Sequence, residues 1–157
     1  MRLLAVAALL TLCACGPGNR PPAEPRSLDS EFRAANDLLR RESYAASLTL
    51  AEAALKRAET SGDLAAKWRF RLLKAQILVG RRDKDALLYL DSLGTPPPAA
   101  EWDEQRAQLL LLRTQALYLL GRWDDVESLL PQATAAAAKA HSALLSAEVE
   151  LRRGALL

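Results

Sequence analysis

The chain has 157 residues, half of them apolar and 25% charged, so it has room for one domain of ordinary size and is too apolar for a disordered protein. Its 21 basic side chains nearly balance 19 acidic ones and are spread along the chain, which argues against a nucleic-acid partner. Abundant Ala and Leu, with only 5% aromatic residues, favour an all-α fold.

The N-terminus has the pattern of a secretory signal peptide. Arg2 supplies one positive charge, and a run that is apolar except for Thr11 follows from Leu3 to Leu12. This run of about ten residues is too short for a bilayer core, which needs about 20 residues in a helix. The pattern therefore predicts a leader that is removed from the mature protein.

Both cysteines, Cys13 and Cys15, lie at the end of this leader, so the mature chain has no pair for a disulfide and no Cys-based metal site. The stretch LCACG resembles the bacterial lipoprotein signal. That signal has an aliphatic residue three positions before the modified Cys and a small residue directly before it. Cys15, preceded by Ala14, fits it; Cys13 fits less well because Leu12 is bulky.

The resemblance implies that residues 1–14 are cleaved as a signal peptide and that Cys15 is lipidated. Two or three acyl chains anchor a protein stably, because each buried CH₂ contributes about 0.8 kcal/mol. Gly16 is not the Asp that retains such proteins at the inner membrane, which implies the outer membrane, facing the periplasm. The proline-rich residues that complete 15–26 predict an extended tether or a disordered tail with the same tethering role.

Seven helices are predicted from Ser27 onward, because apolar residues recur there at intervals of three and four. Ser27 is the predicted N-cap of the first helix, and Gly62 is predicted to end the second. Pro131 predicts a kink or a restart inside the sixth helix. The predicted helices begin at 27 and 44 and then cover about 63–79, 86–93, 101–120, 123–139 and 141–157.

A small residue recurs at intervals of 40, 39 and 40 residues, at Ala35, Ala75, Thr114 and Gly154. Seven residues after Thr114 stands Gly121, and the aromatic Trp123 follows it. This pattern resembles the tetratricopeptide repeat (TPR), a helix-turn-helix unit of about 34 residues. The resemblance implies a TPR-like α-solenoid over residues 27–157, with about three units and a partial fourth.

In that family the small residue lets two helices approach closely, the glycine forms the turn, and the aromatic residue packs over it. The first two units depart from the pattern, since Glu42 and Arg82 occupy the glycine position and Lys84 replaces the aromatic residue of the second unit. A closed helical bundle without repeats is the alternative architecture.

The first helices of TPR units line a concave groove, so the resemblance places candidate partner contacts on the third and fifth helices. Lys74, Arg113 and Arg153 directly precede the recurring small residues. They form either a basic ladder for an acidic peptide or C-terminal carboxylate, or a set of solvated side chains whose stems cover apolar neighbours. Trp68 and Trp102 are groove anchors or core residues. The candidate groove residues are Arg71, Lys74, Gln76, Leu78, Arg113, Gln115 and Tyr118.

No residue pattern indicates catalysis, a metal or a cofactor. His141 is the only histidine, and no cysteine lies nearby to complete a zinc site. Asp124 and Asp125 are interpreted as helix N-terminal charge. The resemblances imply a lipid-anchored scaffold that binds a protein or peptide in the bacterial cell envelope. Because Gly154 opens a fourth unit at the end of the sequence, the alternative is the N-terminal repeat module of a larger envelope enzyme, such as a CHAT-type peptidase.

Overall fold

The computed structural model describes residues 27–155, and within this range the chain forms seven α-helices and one short 3-10 helix, with no β-strand. The predicted all-α fold is therefore confirmed. The predicted signal peptide 1–14, the predicted lipidation site Cys15 and the predicted tether 15–26 lie outside the described residues. The helices are α1 (Leu28–Arg40), α2 (Tyr44–Ser61), α3 (Leu64–Gly80), α4 (Ala86–Ser92), α5 (Asp103–Leu119), α6 (Trp123–Lys139) and α7 (Ala143–Gly154), and the 3-10 helix is Ala100–Trp102.

Three helices begin at a side-chain cap. The Ser27 hydroxyl accepts a hydrogen bond from the Ser30 N–H at 3.2 Å, which confirms the predicted N-cap of α1. Asp63 caps α3 and Ser142 caps α7 in the same way. Each cap satisfies one of the unpaired N–H groups of the first helical turn. The caps thus occur at α1, α3 and α7, whereas α2, α4, α5 and α6 have no side-chain cap.

Helices pack against their neighbours in chain order. Each of the seven contacts the helix before and after it, and α1, α3, α5 and α7 also pack successively against one another. Within residues 27–155, α1 makes no packing contact with α5, α6 or α7. We refer to α1–α2, α3–α4 and α5–α6 as the first, second and third helix pairs. No helix of the described range is both long and apolar enough to cross a membrane.

Three adjoining apolar clusters hold the helices together. The first lies between α1, α2 and α3, the second between α3, α4 and α5, and the third between α5, α6 and α7. Ala35, Ala75 and Thr114 are 0% exposed, so the three recurring small residues lie where helices approach closely. Trp68 and Trp102 belong to the second cluster, at 4% and 9% exposure, and are therefore core residues.

The turn inside each helix pair has the same backbone geometry. Glu42, Arg82 and Gly121 have φ of 56°, 54° and 69°, in the left-handed region that favours glycine. At each turn, the N–H of the residue after the positive-φ position donates to the carbonyl oxygen of the residue five positions before it, as in a Schellman motif. The three bonds run from Ser43 to Leu38 (2.9 Å), from Asp83 to Leu78 (2.9 Å) and from Arg122 to Leu117 (3.0 Å).

Two helices depart from the lengths of their counterparts. α4 has only seven residues, and the chain then turns at Gly94, with φ of 70°, into the three prolines 96–98. α6, by contrast, runs without interruption through Pro131, so the predicted restart is wrong. Pro131 and Glu127 are both exposed, so the Glu127 carbonyl that loses its intrahelical donor is on a solvated part of the helix.

Candidate partner-binding surface

The basic residues expected to line a groove on α3 contact the neighbouring second helices instead. Lys74 donates to the Glu52 carboxylate of α2 at 2.6 Å, and its Nζ lies 5.0 Å from the centre of the Tyr89 ring of α4. Arg71 donates to Glu59 of α2 at 3.3 Å. Both candidates are thus engaged with their own chain.

Arg113 and Arg153 repeat this arrangement on later helices. Arg113 donates to the Leu90 carbonyl of α4 at 3.2 Å, and its Nε lies 3.5 Å from the Asp91 carboxylate. Arg153 of α7 donates to the Thr134 hydroxyl of α6 at 3.2 Å. The three cations of the expected ladder therefore each reach back to the second helix of the preceding pair.

The acceptors of this contact also recur in the sequence. Glu52 lies 22 residues before Lys74, and Asp91 lies the same distance before Arg113. The corresponding position before Arg153 is Pro131, which offers no side-chain acceptor. Because these ion pairs are partly exposed, each contributes little to stability, of the order of 0–1 kcal/mol. Their effect is to orient the cations toward neighbouring second helices.

The remaining candidates are divided between the core and the surface. Leu78 is 9% exposed and belongs to the cluster between α3 and α5. Tyr118 packs edge-to-face on Trp123 with ring centres 4.9 Å apart, and Trp123 itself is 49% exposed beside the turn. Gln76 is exposed on α3, and Gln115 is partly buried 39 residues later on α5.

A cavity of about 290 Å³ lies on the surface shared by the first helices of the three pairs. Leu72 and Leu73, each 1% exposed, contribute its apolar floor. We call this surface the first-helix groove, and Gln76 is the one predicted candidate that lines it. The lining residues are Phe32 of α1, Arg69, Leu72, Leu73 and Gln76 of α3, and Glu104, Gln105 and Gln108 of α5.

Arg69, the cation of the groove, is held against α1. Its guanidinium donates to the Asp29 carboxylate at 2.6 Å and lies 4.4 Å from the centre of the Phe32 ring. The hydrogen bond and positive charge of Arg69 lower the pKa of Asp29 below its ordinary value. The positive charge of Arg69 is thus partly neutralised by a carboxylate of the same chain.

The α5 wall of the groove carries groups without partners. Among residues 27–155, no cation lies within ion-pair distance of Glu104, which is exposed in the first turn of α5. The Gln105 Oε1 atom is buried and accepts no hydrogen bond within that same range. A buried carbonyl oxygen without a donor is unfavourable, and because Gln105 lines the groove, rotation of its side chain would bring this oxygen within reach of a ligand N–H.

Sequence reasoning missed most of this groove, although a signal for it exists. Phe32 and Leu72 are 40 residues apart, and Arg69 and Gln108 are 39 apart. These are the intervals of the recurring small residues, so carrying Phe32 and Arg69 from one pair to the next identifies two further lining residues. What the intervals do not reveal is the direction of a long side chain, which depends on its partners.

A larger cavity of about 710 Å³ lies beyond the shortened α4, between residues 95–98, α5 and α6. Leu110, Ala135 and Ala136 supply apolar walls. Its Arg106 donates to the carbonyls of Pro97 and Ala99 (3.1 Å to the latter) and to Asp103, so this cation holds the loop in place.

No cluster of three or more His, Cys, Asp or Glu side chains suited to a metal occurs in the described part of the chain. His141 occupies the turn between α6 and α7, with φ of 49°. No protein-family model, curated protein or solved structure matches this chain.

Proposed function

We propose that residues 27–157 form a TPR-like array of about three units and a partial fourth, which presents the first-helix groove to a protein or peptide partner. The observation that carries the proposal is the recurrence of one backbone turn. Glu42, Arg82 and Gly121 share a positive φ at the 40- and 39-residue intervals at which buried small residues recur. Equivalent turns at the interval of the buried small residues are what stacked helix pairs predict, and this common spacing supports an array over a closed bundle.

Two further observations support a stacked array. First helices pack successively against one another, and α1 makes no contact with the α5–α7 part of the described chain. Lys74, Arg113 and Arg153 each contact the preceding second helix, which is a contact between successive pairs. In a repeat array, each unit contacts only its neighbours in this way.

The groove supports recognition of an extended segment. Buried leucines form its floor, and amide side chains of Gln76, Gln105 and Gln108 line its walls. Amides both donate and accept hydrogen bonds, so they match the alternating N–H and C=O groups of a peptide backbone. An apolar floor with a few polar groups is the general composition of a binding site in proteins.

Partner binding is tested by placing a photo-crosslinking amino acid at single positions in living cells. With the probe at Gln76, we expect one defined protein adduct on irradiation. The control probe replaces Glu127, which is exposed on α6 and does not line the groove. The absence of an adduct at Gln76, or the same adduct from both positions, would show that the groove does not bind a partner.

We further propose that lipid on Cys15 anchors this scaffold in the cell envelope, at the outer membrane facing the periplasm. The support is the LCACG stretch after a short apolar leader. In a Gram-negative host fed a tagged palmitate, the wild type and Cys13→Ala are expected to be labelled and to sediment with outer membranes. Cys15→Ala is expected to lose both properties, and persistent labelling of Cys15→Ala would exclude this anchor.

A further inference from the structure

We propose that the first-helix groove selects an extended peptide segment with a lysine or arginine side chain, and that Glu104 and Gln105 recognise this cation. This inference rests on the proposed function of the groove as a peptide site. It adds the chemistry of the partner, and it is opposite in charge to the acidic peptide that one of the two interpretations of the recurring cations implies.

The first step is that the groove offers no free cation to an acidic ligand. Arg69 is paired with Asp29 and stacked on Phe32. Lys74 and Arg113 contact the second helices α2 and α4, away from the residues that line the groove. An acidic segment would therefore meet a cation already partly neutralised by Asp29, together with the negative charge of Glu104.

The second step is that the unpaired groups of the groove favour a donor with positive charge. Glu104 has no ion-pair partner among residues 27–155, and the adjacent Gln105 presents a buried oxygen that accepts no hydrogen bond there. A lysine ammonium carries three N–H donors and a unit charge, and both side chains line the same cavity, so an ammonium there pairs with Glu104 and, once the Gln105 side chain turns toward it, with the amide oxygen as well. A carboxylate ligand would be repelled by Glu104 and would leave Gln105 unpaired.

The third step is the size and lining of the cavity. A volume of about 290 Å³ suits one side chain rather than a whole partner helix. Leu72 and Leu73 offer an apolar floor to the methylene stem of a lysine, while its charged end reaches the polar α5 wall. Stem and head group thus each find a matching surface in the same cavity.

The test uses the full-length protein in detergent micelles and three pools of fluorescent, end-blocked octapeptides. Each pool has randomised uncharged residues around a fixed central Lys, Gln or Glu. Fluorescence anisotropy is expected to give a dissociation constant at least about tenfold lower for the Lys pool than for the Glu pool. Tighter binding of the Glu pool, equal binding of all pools, or no binding would overturn the inference.

Variants of the α5 wall separate its two groups. Glu104→Gln is expected to abolish most of the preference for the Lys pool, and Glu104→Lys to reverse it, while the exposed control Glu127→Gln leaves it unchanged. Gln105→Leu is expected to weaken binding of the Lys pool several-fold without lowering the midpoint of urea unfolding. Unchanged binding of the Lys pool by Glu104→Gln or Gln105→Leu would contradict the role given to that residue.

The crosslinking experiment at Gln76 distinguishes failure of this inference from failure of the proposed function. If the captured partner contacts the groove through an acidic segment, the groove is a peptide site with the opposite selectivity, and only the inference fails. If no groove-specific adduct forms, the proposed function and the inference both fail. A Lys- or Arg-bearing segment at the crosslink supports both.

Discussion

The second helices α2 and α4 follow equivalent turns but differ greatly in length. α2 has 18 residues and docks through Ala51, Ala54 and Ala58, all 0% exposed. α4 has seven residues and docks through Ala86 and Leu90, at 4% and 0% exposure. The second helix of a pair is therefore either a long helix that packs through alanines, as α2 does, or a helix of about two turns that packs through a leucine as well, as α4 does.

The chain beyond α4 replaces the missing helical turns with a bound loop. The prolines at 96–98 cannot continue a helix, and Leu93 and Trp102 at the two ends of the loop are both buried. Arg106 of α5 donates to the carbonyls of Pro97 and Ala99. The comparison with α2 shows that α4 and the loop after it are stabilised by tertiary contacts and not by the length of the helix.

The largest expected effect tests whether the short α4 is as integral to the core as α2. Leu90→Ala removes a side chain that is 0% exposed and should lower the free energy of unfolding by about 2–5 kcal/mol. The matched control is Leu88→Ala on the same helix, where the side chain is 71% exposed and the expected loss is below about 0.5 kcal/mol. Urea unfolding measures both, and equal losses would show that α4 is peripheral.

The next prediction concerns the loop after α4, and it tests whether the hydrogen bonds of Arg106 stabilise that loop in place of further helical turns. Arg106→Lys keeps the charge but loses the planar fork that bonds two carbonyls and Asp103, so a loss of about 1–2 kcal/mol is expected. Amide hydrogen exchange should increase around 94–102. Arg40→Lys is the control, since that side chain is 77% exposed, and a similar loss for both variants would contradict the role of Arg106.

Glycine variants at the turns that lead into α2 and α4 should change the free energy of unfolding less than the preceding variants, and should raise it. Glu42 and Arg82 hold positive φ without being glycine, so Glu42→Gly and Arg82→Gly should each raise the free energy of unfolding by about 0.5–1 kcal/mol. Gly121→Ala at the third turn should lower it by about 1 kcal/mol. Thermal and urea unfolding provide the measurement. A loss of stability in both glycine variants would show that these three turns are not equivalent.

The elements themselves were predictable because their signals are local. Apolar spacing, the Ser27 cap and the Gly62 stop indicated where helices begin and end, and the recurring small residues indicated buried positions. The turn geometry at Arg82 was less visible, because packing and the Schellman hydrogen bonds hold a non-glycine residue in the left-handed region. Local propensity does not record that tertiary constraint.

The candidate site was harder to predict because it depends on where long side chains point. Lys74 and Arg113 stand on the predicted first helices, yet carboxylates on α2 and α4 attract them away from the groove. Leu78 was expected at the surface but lies in the core between α3 and α5. A flexible side chain spans several ångströms, so neighbours distant in sequence decide its direction.

The smallest expected effect concerns how tightly α4 packs, as measured through Tyr89. Burial raises the pKa of Tyr89 to about 12, and its hydroxyl has no hydrogen-bond partner within residues 27–155. The folded protein therefore keeps this proton at pH values where the unfolded chain loses it, so stability conferred by the neutral phenol is present below pH ~10 and is lost toward pH ~12.

Tyr89→Phe should accordingly flatten the fall in unfolding free energy between pH ~10 and ~12, while changing it by less than about 1 kcal/mol at pH 7. Ultraviolet titration of phenolate should lose its component near 12 in this variant. If Tyr89→Phe leaves the alkaline slope unchanged, the phenol is solvated and α4 packs more loosely than α2. A flattened slope instead indicates that the seven-residue α4 buries this aromatic side chain against the apolar cluster that it shares with α3 and α5.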